Sequence, residues 1–388
     1  MQLKILFFCF FFLIITSSPI QIKAQWSILD KIADSLVLES MDYIYNLEFQ
    51  KAKNYSKQLQ QQYSAHPAGY FLEAMIDWWK ILIDPVNKKI YRQSFLKNID
   101  NTLSKCEDIL SENPVDINAL FFKAGAIGYR GRFFVDDESW IKAVRDGNEA
   151  FDLLKKCLKI APNNHDIMLG TGIYNYFAAA IPEKYPVVKP MILMLPKGDK
   201  LIGELQLKAA AKYARYITVE AKVVLMQLYY SFENKPDESL NILTELIEKY
   251  PNNPYFMKYY ARTLVKMGHW NKFETVWREI LINCINKKFG YNNSTAREAM
   301  YYIGMALQRN KNYDQALKYY YKCDEGSRKV DKDGPSSFMV MTNLNIGKIY
   351  DLQQKRKLAI EQYEKVLRMK NYNTSHLEAN QYIKQPYK

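Results

Sequence analysis

The chain has 388 residues, 48% apolar and 24% charged, enough apolar content for a continuous core, which excludes global disorder. Glycine (15) and proline (14) are sparse, which excludes a many-turned β fold and favours long helices joined by short turns. The formal charge of +13 points to anionic partners: acidic polypeptides, anionic lipid or envelope polysaccharide.

Residues 1–24 read as a secretory signal peptide. Lys4 supplies the positive start, Ile5 to Ile15 is an unbroken apolar run, and a polar stretch ends at Ala24, near which cleavage is expected. The run falls short of the roughly 20 apolar residues of a membrane span, so membrane association is peripheral at most. Cys9 follows two phenylalanines, whereas lipid attachment wants small residues there. Export to the periplasm or cell envelope argues against nucleic acid as a partner.

Residues 25–116 read as irregular helical hairpins. NLEFQKAKNYSKQLQQQYSAHP ends one unit, with Ala52 at a small position. The apolar and aromatic run FLEAMIDWWKILI predicts a buried helix closed by Asp84-Pro85, and TLSKCEDILSENP ends a further helix at proline. Residues 117–221 form a long-helix segment. INALFFKAGAIGYRGRFFVDDESWIKAVRDGNEAFDLLKKC predicts two helices of about five turns, the second capped by Asp136 or Asp137. MLGTGIYNYFAAAIP follows, then the proline-rich insertion 182–198 and the helix LIGELQLKAAAKYARY. Broken by Pro186, Pro190 and Pro196, the insertion is expected to pack on neighbouring helices.

Residues 222–375 repeat. A small residue is followed four residues on by a bulky one and three further by an apolar one: Ser239, Leu243 and Leu246 in one unit. Gly304, Ala316 and Tyr320 recur at identical spacing as Gly347, Ala359 and Tyr363. This is the helix–turn–helix unit of a tetratricopeptide repeat (TPR), with a period near 34 residues. Phe273 stands where a small residue belongs, ahead of Trp277, and is expected to widen its helix pair. Two intervals stretch to 43 residues, and the second excess is expected as a loop, CDEGSRKVDKDGPSSF. Residues 376–388 read as a tail. The expected fold is all-α: one right-handed α-α superhelix, a TPR-like solenoid of six to eight hairpins.

The run GYRGRFF, followed by KAVRDG, then LGTGIYNYFAAAIP and PKGDKLIGELQLKAAAKYARY, resembles a group of exported bacterial TPR proteins whose arrays are interrupted by long helices in this order. A fainter similarity reaches the eukaryotic TPR family associated with the mitochondrial outer membrane and inclusion clearance. The resemblance implies an envelope α-solenoid that binds other proteins. It carries over no catalytic residue and no cofactor.

In such a solenoid helix A of each repeat lines the concave face. Its inward positions are Tyr255, Lys258, Arg262 and Lys266, then Tyr301 and Arg309, then Lys348. Lys258, Arg262 and Lys266 recur every fourth residue and share one helical face. This candidate groove suits an acidic segment or a chain-terminal carboxylate. Trp78 and Trp79 are a candidate sugar-stacking pair, the basis of an alternative glycan- or nutrient-binding reading, though in an apolar helix at least one should be core. A second alternative is an enzyme with its site among Arg130, Arg132, Asp137 and Asp146, set against the reading of these charges, with Asp136, Glu138 and Arg145, as an internal ion-pair network. Gly125, Gly128 and Gly131 read as close helix contacts rather than a phosphate loop. His66, His165, His269 and His376 are too far apart for a metal site. Cys106, Cys157, Cys284 and Cys323 have long, irregular spacings and read as buried free thiols. No enzyme motif is present.

Overall fold

Side-chain caps set seven of the helix starts. Asp30, Asp116, Asn164, Asp199, Asn253, Asn292 and Ser336 each accept a backbone N–H from the first turn that follows. The computed structural model describes residues 29–186, 189–192 and 196–388. The leader 1–24 lies outside the described residues, as does part of the proline-rich insertion.

The helices are α1 (Lys31–Tyr45), α2 (Phe49–Gln62), α3 (Ala68–Ile83), α4 (Lys88–Glu112), α5 (Ile117–Asp136) and α6 (Trp140–Ile160). Then come α7 (His165–Lys184), the single turn α8 (Lys189–Ile192), α9 (Lys200–Tyr213), α10 (Thr218–Ser231), α11 (Pro236–Lys249) and α12 (Pro254–Lys266). The chain finishes with α13 (Trp270–Ile285), α14 (Asn293–Arg309), α15 (Tyr313–Val330), α16 (Ser337–Leu352), α17 (Arg356–Leu367) and α18 (Ser375–Lys384). They pair as antiparallel hairpins, each packed on the next, α7 pairing with α9 across the insertion. The fold is an all-α TPR-like solenoid.

The repeat residues do what their spacing requires. Ala52, Ser239, Ala316 and Ala359 are fully buried where two helices meet. The Gly–Tyr spacing has a steric cause: a Cβ on Gly304 would stand 2.8 Å from the Tyr320 ring, and one on Gly347 would stand 2.5 Å from the Tyr363 ring. The tyrosine of helix B thus lies flat on the bare backbone of helix A. Phe273 and Trp277 are both fully buried.

Three boundaries differ from the sequence reading. The expected loop after Cys323 is helical as far as Val330; only 331–336 is loop, tied by Asp331 to Arg297 and Ser336. Neither Asp136 nor Asp137 caps α6: α5 runs through Asp136, and the Asp137 carboxylate is taken by Lys88 and Arg92. The tail is largely α18, which docks on α16 and α17 and caps the array; the Tyr387 N–H donates to Asp351 at 2.9 Å.

The larger departure is closure. Helices α1 and α3 pack against α10–α12, about 200 residues away in sequence. Asp34 of α1 pairs with Arg215 and accepts from the Tyr216 hydroxyl. Asp42 accepts from Lys249 at 3.0 Å and Tyr250 at 2.6 Å, and Asn253 donates to the Tyr45 carbonyl at 2.9 Å. Trp79 of α3 meets Tyr255 and Phe256 of α12 edge-on.

Gly347 and Gly147 make a matched test. Gly147 has open space around it, so Gly147→Ala should stabilise by about 0.5–1 kcal/mol through helix propensity. Gly347→Ala should instead destabilise by about 1–3 kcal/mol through overpacking against Tyr363. Urea unfolding of the two variants reads the signs; equal signs would count against the Gly–Tyr packing.

Candidate functional site

Two polar constellations lie along α10–α14. The first surrounds Glu220 of α10, 5% exposed. Its Oε1 accepts from Trp79 Nε1 at 2.8 Å and the Tyr45 hydroxyl at 3.3 Å, and Tyr129 of α5 also hydrogen-bonds the carboxylate. The Arg132 guanidinium lies over the Trp78 ring at 5.3 Å and donates to Gln227. Burial pushes the Glu220 carboxyl above its usual range, against the opposing pull of these donors and of Arg132.

This arrangement corrects the tryptophan reading. Trp78 and Trp79 are both core, at 1% and 0% exposure, so neither presents a face for a sugar. The charge cluster is an ion-pair network: Arg130 grips Asp146 bidentately at 2.7 and 3.2 Å, Arg145 joins at 3.3 Å, and Asp137 belongs to Lys88 and Arg92. Gly131 and Gly128 face α6, and Gly125 faces Phe71 of α3, inside helix contacts. Cys106, Cys157 and Cys323 are buried free thiols and Cys284 is half-buried; burial pushes the Cys106 and Cys157 thiols up to about 12. Among the described residues no group of His, Cys, Asp and Glu is placed to hold a metal.

The second constellation is the expected groove, and the structure divides it. Tyr255 is buried under α3 and takes a bond from Gln227. Lys258 is 9% exposed and donates to the Gly290 carbonyl at 3.3 Å. Burial, with Arg262 nearby, lowers its amine to about 8. Arg262 is half-buried and locked to Glu298 by two bonds of 2.6 Å; burial opposes its charge, but Glu298 outweighs that and raises its pKa. Lys266 is exposed, with its amine 2.7 Å from the Tyr230 carbonyl, and Lys184 reaches the neighbouring Ser231 carbonyl. Both therefore cap the negative end of α10. Lys348 pairs with Glu378 of α18 at 2.6 Å, and Arg309 covers the Trp270 ring at 4.2 Å.

What the groove exposes is mostly aromatic. Tyr230 of α10 meets Tyr259 of α12 at 5.6 Å, and Tyr301 and Tyr302 of α14 meet Phe338 of α16 at 5.4 and 6.1 Å. All five rings are half-buried, with the Arg262–Glu298 pair between α12 and α14. Sequence reasoning found Tyr301 but missed Tyr230, Tyr259, Tyr302 and Phe338. Their signal was the excess of tyrosine in helix A of successive units.

Models of the tetratricopeptide repeat match residues 220–253 and 295–371. No curated protein matches the chain. A tetratricopeptide repeat protein from Parabacteroides merdae ATCC 43184 is 13% identical, covering 81% of this chain and 99% of that one, at a TM-score of 0.31. The human IFIT1 dimer with PPP-AAAA is 12% identical, covering 93% and 86%, at 0.39.

Two outcomes test the buried charges. Glu220→Ala leaves several donors without an acceptor and should destabilise by about 3–5 kcal/mol, whereas Glu220→Gln, which keeps an acceptor, should cost much less in thermal or urea unfolding. Lys258 has a folded pKa near 8 against 10.5 unfolded, so its charge opposes folding fully below pH 8 and the penalty lifts as pH rises from 8 to 10.5. Lys258→Met should thus be more stable than the parent at pH 7, by up to about 3 kcal/mol, with the gap closing by pH 10.5. The measurement is urea unfolding across that range. The tetratricopeptide-repeat matches lie on either side of α12 and α13, within one helical-repeat solenoid.

Proposed function

We propose that the chain is a non-enzymatic scaffold of the cell envelope that holds a polypeptide segment along the inner face of α10–α16. The observation that carries this reading is the row of half-buried rings Tyr230, Tyr259, Tyr301, Tyr302 and Phe338 on the alternate helices α10, α12, α14 and α16. Such rings offer apolar area and hydroxyl hydrogen bonds at low conformational cost. Four of the five rings lie in the repeats matched at 220–253 and 295–371, and TPR domains generally bind other proteins. Lys266 and Arg309 remain exposed at its edge and supply the preference for acidic segments or terminal carboxylates. Arg262, paired with Glu298, orders the floor. Tyr255, Lys258 and Lys348 act behind it by fixing helix positions. The leader-like residues 1–24 support export, with maturation near Ala24.

A photo-crosslinking amino acid placed at Tyr259 or Tyr302 tests this in the producing cell. A discrete adduct is expected from the inner-face positions and none from Lys318 on the outer face of α15. N-terminal sequencing of the captured chain should begin near Gln25. Equal labelling from both faces would overturn the groove, and a chain that still begins at Met1 would overturn the export assignment.

A further inference from the structure

Helix α9 carries two faces of opposite logic. Its inner face is small and closely packed: a Cβ on Gly203 would stand 2.5 Å from the Tyr176 backbone, while Leu207 and Ala210 are fully buried. Its outer face is not covered. Leu201, Ile202 and Leu205 are 68%, 48% and 56% exposed, and Lys208 and Lys212 continue the same stripe one and two turns on. Scattered exposed leucines need no explanation, but three aliphatic residues adjacent on one face do. Tyr185, half exposed at the end of α7, is brought beside the start of this stripe by the Lys200–Glu183 pair at 3.1 Å.

The charges around the stripe are unequal in a telling way. Every carboxylate near it is spent. Glu183 pairs with Lys200, Asp199 caps α9 by accepting from the Ile202 N–H at 2.9 Å, and Glu204 takes Lys208 at 2.8 Å and the Tyr229 hydroxyl at 2.9 Å. Lys197, just before α9, and Lys212, on the stripe itself, have no carboxylate in ion-pair range among the described residues. An apolar ridge with an aromatic at one end and uncompensated lysines along it matches an anionic bilayer surface, where aliphatic side chains enter the acyl boundary and ammonium groups meet lipid phosphates.

We infer that the outer face of α9, with Tyr185, docks the solenoid in the plane of an anionic membrane. Among the described residues no helix is long and apolar enough to cross a bilayer, so the contact is interfacial. The hairpin α7–α9 then lies against lipid while the aromatic inner face stays open.

Vesicle flotation of the chain from residue 25 onward, which contains every described helix, tests this. Vesicles of phosphatidylglycerol and phosphatidylcholine should carry the protein up, and phosphatidylcholine alone should not. Leu201→Gln/Leu205→Gln, at exposed positions that leave the core intact, should weaken partition about tenfold or more. Lys197→Glu/Lys212→Glu should abolish the preference for anionic vesicles and is an independent reading if the first variant folds poorly. Absence of flotation, flotation unchanged by both variants, or light scattering showing a dimer that Leu201→Gln/Leu205→Gln dissociates would each overturn the inference, the last by showing that a second copy covers the face.

Discussion

A buried carboxylate has to be fed hydrogen bonds or it expels the structure around it. Glu220 is fed by Trp79 and Tyr45 from the N-terminal helices and by Tyr129 from the long α5. Those donors belong to three separate stretches of chain, so satisfying one side chain fixes α1, α3 and α5 relative to α10. The rest follows from this anchor. With α3 held, Trp79 covers Tyr255, and with α1 held, Asp34 and Asp42 reach Arg215, Lys249 and Tyr250. An open solenoid, in which each repeat touches only its neighbours, is thereby drawn closed through its first two-thirds.

Closure changes what the basic residues do. Lys258, Arg262 and Lys266 share a helical face, as their spacing requires, yet each is already answered: by the Gly290 carbonyl, by Glu298 and by the end of α10. Positive charge that looks like a ligand's counterpart in one dimension is largely consumed in joining helices in three. The half-buried rings Tyr230, Tyr259, Tyr301, Tyr302 and Phe338 stand on the same run of helices.

How much was legible depends on range. The repeat pairs Gly304–Tyr320 and Gly347–Tyr363 were readable because both partners lie within one hairpin and the contact is steric. Three of the four expected buried thiols, the Arg130–Asp146 pair and the helix α3 were readable from local pattern, while Cys284 is only half-buried. The closure was not, because the matching of Asp34 to Arg215 or Tyr45 to Asn253 leaves no periodic trace. One clue was present in α3 itself. AGYFLEAMIDWWKILI buries both tryptophans and both sides of the helix, more apolar surface than a single neighbouring hairpin can cover. A helix apolar all round needs a second partner, and here that partner is α12. The α6 cap failed because Lys88 and Arg92 of α4, outside the α5–α6 hairpin, claimed Asp137.

The same closure sets an order of events during synthesis. Tyr45 waits for Glu220, 175 residues on, and for Asn253, 208 residues on. Neighbouring hairpins of the C-terminal array can bury their small–bulky pairs as soon as each is complete, but α1 and α3 cannot be sheltered until α12 exists. The N-terminal third, although the first part to be made, therefore cannot become native until α12 has been made, and during that interval its tryptophan-rich helix is the surface most in need of a chaperone.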